Sequence, residues 1–379
     1  AYFIEAQKCS FFALQIMSRP CRTVFLGTIV SQTLWLLLAR WFAVFATFEH
    51  LYWEQDFYSC DSMEAAVEPA ANLSSLQMVH VAYASDSRYL PWLLLSMVSL
   101  ARHLEDPEHC TIHVVLGDED MKNNASVLKC FESALEGLPR LPRVHFHPRR
   151  LDPVWVHMRE RPRHSWHRAA LSPVAWTRLH LDQYLPNVSR VLYLDTDTIV
   201  KSDIGPLFRI HLRFGIAAAL DIRRTRSKAV PNINDDLMSF AAELNVTYDN
   251  YVNTGVMLID LERWRADKMR DAIERWALKM PSHQPLRSLM HDQDIINVAF
   301  GGRVDVLDWR WNALGMGDLW ESAERCVDEA RILHLTPQNR DCLTDSNWLR
   351  SRTGLRMKPY MEPLSVCLDL WSMSLPESR

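Results

Sequence analysis

At 379 residues the chain has room for one large α/β domain or two ordinary ones. Its composition, 48% hydrophobic and 23% charged, is that of a globular protein and excludes a disordered or fibrous one. Lys and Arg total 42 against 46 Asp and Glu, a formal charge of −4, so the basic surplus of a nucleic-acid binder is missing.

The first element is apolar. Val24 to Phe48 reads VFLGTIVSQTLWLLLARWFAVFATF, interrupted by Arg40 and long enough to cross a hydrocarbon core of roughly 30 Å. Lys8, Arg19 and Arg22 precede it, whereas Glu49, Glu54, Asp56, Asp61 and Glu64 follow. The positive-inside tendency then predicts a cytoplasmic tail over 1–23, a transmembrane signal anchor over 24–48 and a lumenal remainder. A cleaved signal peptide fits less well, because the stretch exceeds a typical h-region and lacks an A-x-A site; a buried core helix is the other alternative. The sequons at Asn72, Asn124, Asn187 and Asn245 all fall on the lumenal side. So do Cys60, Cys110, Cys130, Cys326, Cys342 and Cys367, in a compartment that permits disulfides. No cysteine or histidine spacing suggests structural zinc.

Residues 49–77 lack periodicity and read as a stem. MVHVAYASD (78–86) opens the folded body as a strand, followed by YLPWLLLSMVSLARHL as a buried helix. TIHVVLG (111–117) and RVHFH (143–147) are further strands with a helical segment between them. SPVAWTRLHLDQYLP (172–186) reads as a helix, with Ser172 as N-cap and Pro173 in its first turn. RVLYLDTD, IAAALD and VMLID are the next strands, and Met269, Ala272, Ile273, Trp276, Ala277 and Met280 then recur at helical spacing. VDVLDW (304–309) and RILHL (331–335) close the series. Strands alternating with helices predict a mostly parallel sheet covered on both faces.

The sharpest chemical signal is Asp195-Thr196-Asp197 at the end of VLYLDTD. In an extended chain residues two apart share a face, so both carboxylates meet one point at the strand end, where open α/β sheets bind ligands. Paired carboxylates suit a hard divalent cation, and such a cation neutralises the pyrophosphate of a departing nucleotide. A bare D-x-D is often only a solvated turn; the apolar strand before it and TIVKSDIGPLF after it argue for the site.

These residues carry a resemblance. The AYASDSRY run, WTRLHLDQYLP with VLYLDTDTIV, NTGVMLIDLERWR, HDQDIIN and WRWN stand in the order seen in the retaining glycosyltransferase family 8, which contains glycogenin, bacterial lipopolysaccharide galactosyltransferases and plant galacturonosyltransferase-like proteins. The likeness runs from about Val79 to about Trp348. It implies a Rossmann-like α/β fold of GT-A type, with a catalytic domain over 78–350 behind the anchor and a C-terminal extension over 351–379. By position it implies Asp195, Asp197 and His334 as metal ligands; a histidine beside two carboxylates favours Mn²⁺ over Mg²⁺. Read without the family, His334 would be a core histidine. Ala84 and Asp86 match uracil and ribose contacts, Arg178 an arginine near the donor phosphates, and Asn253, Asp292 and Gln293 the donor sugar and reacting face. Asp221 and Asn312 match the acceptor side. Gly255 reads equally as a packing or a close-approach glycine.

The family's H-x-x-G-x-x-K-P-W stretch is altered here to HLTPQNRDC (334–342). Pro337 stands for the glycine and removes a backbone donor. Arg340 falls at the lysine's offset and keeps a cation for the β-phosphate, though as a planar fork rather than a point charge. The implied reaction is transfer of a hexosyl, pentosyl or uronosyl group from a UDP-sugar to a glycan or glycoprotein, in the Golgi or endoplasmic reticulum. With Gln293 rather than a carboxylate facing the anomeric carbon, front-face attack is favoured, and Asp292 remains the alternative nucleophile. The rival from another class is a catalytically silent sugar- or nucleotide-binding protein of the same fold.

Overall fold

The computed structural model describes residues 78–117, 120–149, 175–221, 251–279, 292–314, 328–335, 358–362 and 367. The expected tail, anchor and stem lie outside them, as do Arg340 and the sequons at Asn72 and Asn245. Among the described residues no helix is long and apolar enough to cross a membrane.

Strand β1, Val79–Ser85, buries all but its first two residues. It leads into helix α1, Leu90–His103, which has a proline in its first turn and Arg102 and His103 in its last, where they complement the helix dipole. Leu90 and every residue from Trp92 to Ala101 are buried, so α1 is apolar all round and sits in the core. Strand β2 (Cys110–Leu116), helix α2 (Asn124–Ala134) and strand β3 (Arg143–Pro148) follow. The segment expected as one helix over 172–186 is instead a 3₁₀ stretch, Ala175–His180, running into the single turn α3, Leu181–Tyr184; residues 172–174 lie outside the described set.

Strand β4 (Arg190–Leu194) is followed by β5 (Thr198–Val200), the short helix α4 (Gly205–Phe208) and β6 (Ile216–Leu220). The long strand β7 (Val252–Asp260) ends in an Asp260 N-cap, whose side chain accepts from Arg263 N–H to start α5, Leu261–Ala266. The helix expected from Met269 onward is α6, Met269–Lys279; Lys268, with φ 51°, separates it from α5. Ile273 is buried there, with Met269 and Trp276 packed against the core. Helix α7 (Asp292–Phe300), β8 (Asp305–Leu307), β9 (Ala313–Leu314) and β10 (Ile332–His334) complete the elements that position the site.

Seven strands form one sheet in the order β3-β2-β1-β4-β7-β6-β8. β7 runs antiparallel to both neighbours, and every other adjacent pair is parallel. The sheet is therefore mostly parallel with one reversed strand, which local sequence pattern does not reveal. A second sheet, β5-β10-β9, pairs β10 antiparallel to β5 and parallel to β9. Successive strands are added outward from β1 toward β3 on one side and from β4 on the other, so the parallel pair β1 and β4 marks the switch point where open α/β sheets open a crevice. A Cys130–Cys367 disulfide ties α2 to the far C-terminal part, and Arg102 donates to Pro359 O at 2.9 Å. Pro359 and Cys367, which fall in the expected extension, are thus tied to α1 and α2.

Candidate functional site

The ends of β1, β4 and β6, the start of β7, the end of β10 and the first turn of α7 bring the predicted residues to one edge of the large sheet. Ala82 pairs with Tyr193, so Ala84 at the end of β1 stands beside the strand that delivers Asp195. Ala84 is buried and Asp86 partly exposed at that end.

Asp195 and Asp197 do not lie in an extended strand: β4 stops at Leu194 and residues 196–197 form a turn. Three bonds fix that turn. Asp195 N–H donates to Gly255 O at 2.7 Å, Thr198 Oγ1 to Asp195 O at 2.8 Å, and Leu335 N–H to Asp197 O at 2.9 Å. The carboxylates converge through the turn rather than through strand alternation. His334 enters from β10, paired with Thr198 of β5. Its Nε2 lies 3.3 Å from Asp197 Oδ1 and 3.7 Å from Asp195 Oδ2. One ligand atom from each of the three fits within 4.8 Å of the others, the set that suits a divalent cation. Burial alone would raise the Asp197 carboxyl; with no metal bound, a protonated His334 would outweigh it and hold the carboxyl below its ordinary value.

Gly255 is required by close approach. A Cβ there would run into the His334 ring, with Nδ1 at 2.7 Å, and into Asp195 Oδ2 at 2.9 Å.

The tautomer of His334 follows from a backbone amide. Gly255 N–H donates to Asn253 Oδ1 at 2.9 Å, which fixes the Asn253 amide. Asn312 meets that same oxygen at 2.9 Å and must present its Nδ2 there. Its Oδ1 therefore faces His334 Nδ1 at 3.0 Å, and His334 is the donor. A neutral imidazole carries one N–H, so the Nε2 lone pair is left facing Asp195 and Asp197, ready for a metal.

The chain continues in the other direction. Asn253 Nδ2 donates to Gln293 Oε1 at 2.9 Å, and Thr254 N–H to the same oxygen at 3.2 Å. Gln293 Nε2 is thereby turned toward Asp221 Oδ2 at 2.9 Å and Tyr251 OH at 3.3 Å. Four residues on, Asn297 bonds both Val252 N–H and Val252 O, pinning α7 to β7.

Four residues assigned by position lie deep in the site, Arg178 among them. Buried at 7% exposure, it lies over the Tyr193 ring and grips two carboxylates, Asp195 Oδ1 at 2.7 Å from NH2 and Asp292 Oδ2 at 2.6 Å from Nε, while NH1 donates to Thr254 O at 2.9 Å. Burial alone would favour the neutral guanidine, but Asp195 and Asp292 hold its pKa above the ordinary arginine value. Asp221 and Asn312 are buried, bonded to Gln293 and Asn253 respectively. Asp292 is buried too, clamped by Arg178 at the positive end of α7. Tyr193, Tyr251 and Thr254 belong to the site and were not read from sequence; Asn297 was legible as the fourth residue after Gln293 in HDQDIIN.

Comparison with known proteins places this arrangement. A model of Glycosyl transferase family 8 matches residues 80–339, more than half of the chain. "Probable galacturonosyltransferase-like 10" of Arabidopsis thaliana is 28% identical over 264 residues, 68% of this chain and 67% of the relative. "Probable galacturonosyltransferase-like 3" of the same plant is 26% identical over 253 residues, covering 66% and 69%. Among solved structures, the galactosyltransferase LgtC in complex with donor and acceptor sugar analogs superposes with a TM-score of 0.57 at 19% identity, covering 78% of this chain and all of LgtC. WbbM, a bifunctional glycosyltransferase, gives 0.56 at 19% identity, covering 78% of this chain and 51% of that one. The fold is therefore the α/β, GT-A-like fold of glycosyltransferases, built on a mixed sheet. The chain belongs to glycosyl transferase family 8 and is a glycosyltransferase.

Proposed function

We propose that this enzyme transfers a glycosyl group from a UDP-sugar to a glycan or glycoprotein with retention at the anomeric carbon, using a divalent metal, Mn²⁺ before Mg²⁺, held by Asp195, Asp197 and His334. The observation that carries the reading is the convergence of two carboxylates and a lone-pair-bearing Nε2 at the β1/β4 switch point. The donor set fits, because oxygen ligands with one imidazole suit Mn²⁺. A bound cation would supply positive charge against the departing diphosphate. Ala84 and Asp86 would hold the nucleoside beside it, and Arg340 would add charge at the β-phosphate.

The chain's own residues then favour same-face displacement. Gln293 is a neutral amide whose oxygen and nitrogen are both engaged by Asn253, Thr254, Asp221 and Tyr251, so it presents a fixed dipole and no nucleophile. Asp292 is tied to Arg178 at 2.6 Å, and a carboxylate neutralised that closely attacks poorly. The silent-protein alternative rests on the altered stretch at 334–342.

The membrane-anchored, lumenal setting belongs to the same proposal. The Cys130–Cys367 disulfide suits an oxidising compartment, and Asn187 sits exposed in a turn between α3 and β4, open to glycosylation. The test is UDP release by the purified chain from UDP-galactose, UDP-glucose, UDP-xylose and UDP-galacturonate, with Mn²⁺ and with EDTA. One donor should turn over, and EDTA or Asp197→Asn should slow it at least about a hundredfold, since metal stabilisation of leaving charge is worth several kcal/mol. Full turnover in EDTA refutes the metal; no UDP release from any donor favours the silent protein.

A further inference from the structure

We infer that Asn312 is a positioning residue that couples the metal ligand His334 to the Gln293 amide at the reacting face. The inference deepens the metal-dependent reading above and rests on it. Asn312 touches neither Asp195 nor Asp197 in the bonds it makes: its oxygen accepts from His334 Nδ1 at 3.0 Å and its nitrogen donates to Asn253 Oδ1 at 2.9 Å. It is 3% exposed, so water cannot substitute for either bond without a cavity. It is also placed rigidly. Asp308 caps the 3₁₀ turn Trp309–Asn312 by accepting from Arg310 N–H, and Trp309 and Trp311 within the turn are buried. Asn312 is followed directly by β9, which pairs with the β10 strand that carries His334.

Two consequences follow from the direction of these bonds. Histidine ligands are oriented by whatever accepts from the nitrogen that does not bind the metal, and loss of such a partner costs about ten- to a hundredfold in metal affinity. Here that partner is an amide rather than a carboxylate. An amide is needed because the other end must donate: Asn253 Oδ1 already accepts from Gly255 N–H, and only a donor is tolerated beside it. An aspartate at 312 still accepts from His334 Nδ1 but sets oxygen against oxygen at Asn253. Turning Asn253 over to relieve this would put its NH₂ against Gly255 N–H and remove the donor from Gln293 Oε1. Asparagine is thus the side chain that serves both neighbours, and Asn312→Asp separates its two roles.

The experiment measures Mn²⁺ binding by electron paramagnetic resonance of free Mn²⁺, together with kcat and KM for UDP release on the best donor. Asn312→Ala should weaken Mn²⁺ binding about ten- to a hundredfold. Asn312→Asp should bind Mn²⁺ within a few-fold of wild type yet lose at least about tenfold in kcat, because the Asn253 donor that helps orient Gln293 Oε1 is displaced. A merely structural residue would not split the two readouts. Wild-type Mn²⁺ affinity in Asn312→Ala overturns the positioning of His334. Wild-type kcat in Asn312→Asp overturns the coupling to Gln293, and that variant still decides the matter if the alanine protein does not fold. Absence of Mn²⁺ binding by the wild-type enzyme overturns the metal reading itself, and the inference with it.

Discussion

The large sheet carries two clusters of polar side chains, and they are built on opposite terms. At the β4–β7 edge, Asp195, Asp197, Asp292 and Arg178 bring formal charges within a few ångströms of one another beside His334, and Arg178 pairs with both Asp195 and Asp292. On the β1–β2–β3 flank, among the described residues, hydrogen bonds run from imidazole to imidazole. His113 pairs with His145, Thr111 of the same strand pairs with His80, and Val115 with His147, so strand alternation puts all four histidines on one face. His80 Nδ1 meets His113 Nε2 at 3.0 Å, and His113 Nδ1 meets His147 Nε2 at 3.1 Å. A neutral imidazole donates once and accepts once, so this ladder is satisfied without charge. The first cluster aims its ligand atoms at one point; the second passes hydrogen bonds along a line. Convergence, more than the number of titratable groups, separates the catalytic edge from the flank.

The comparison breaks first at Arg178. If the catalytic edge is stable because its charges are paired, Arg178→Met leaves the half-buried Asp195 and the buried Asp292 without their cation. Breaking a buried ion pair by removing one partner costs about 3–5 kcal/mol. The urea midpoint should fall accordingly, while the denaturant slope stays near wild type. A loss under about 1 kcal/mol would show that the carboxylates find other partners and that the edge does not depend on pairing.

A smaller effect is expected at Gly255, where the issue is space. Its missing Cβ lets the His334 ring and the Asp195 carboxylate close over β7. Gly255→Ala forces the ring or the turn to move, and overpacking of this kind costs about 1–3 kcal/mol. The variant should unfold earlier by that amount and lose Mn²⁺ binding, because His334 Nε2 no longer points at the carboxylates. Unchanged Mn²⁺ affinity would mean that the convergence tolerates displacement and was misjudged as tight.

The same contrast explains how much of the molecule the sequence discloses. Asp195 and Asp197 are legible because an apolar strand delivers them and two carboxylates two apart have a chemical meaning within one short segment. Even there, the turn at residues 196–197 replaced the expected extended geometry. Arg178, Asn312 and Asp221 were visible as residues but not as roles: whether a side chain faces ligand or supports a neighbour depends on depth, and depth comes from packing between segments as distant as Arg178 and Thr254. The reversal of β7 escaped for a related reason, since a strand buried on both faces reads alike in either direction. The histidine ladder escaped altogether. Each of its members sits in a strand that was predicted, but their contact depends on the register between strands, which no local pattern states.

That ladder gives the smallest and most discriminating prediction, because the two clusters answer to different ranges of pH. With no metal bound, Asp197 is held below its ordinary value, so what it contributes to stability is present above about pH 4 and is lost as the pH falls through its folded pKa. The ladder responds earlier. His113 is pushed down to about 3, first by burial and then by its neighbours His147, His80 and His145, and burial lowers His80 and His147 as well. In the unfolded chain a histidine binds its proton near pH 6.5. Between about 6.5 and 3 the unfolded state therefore holds a proton that folded His113 refuses, and stability falls with falling pH by about 1.4 kcal/mol per unit. His113→Gln removes the proton and leaves an amide in its place. Between pH 7.5 and pH 5.0 the wild-type protein should lose about 2 kcal/mol more than this variant, measured as the difference between their urea unfolding free energies at each pH. Carboxylates elsewhere cancel in that difference, since both proteins carry them. Equal losses in the two proteins would place a proton on His113 in the folded state, and the flank would then be a charged cluster like the catalytic edge.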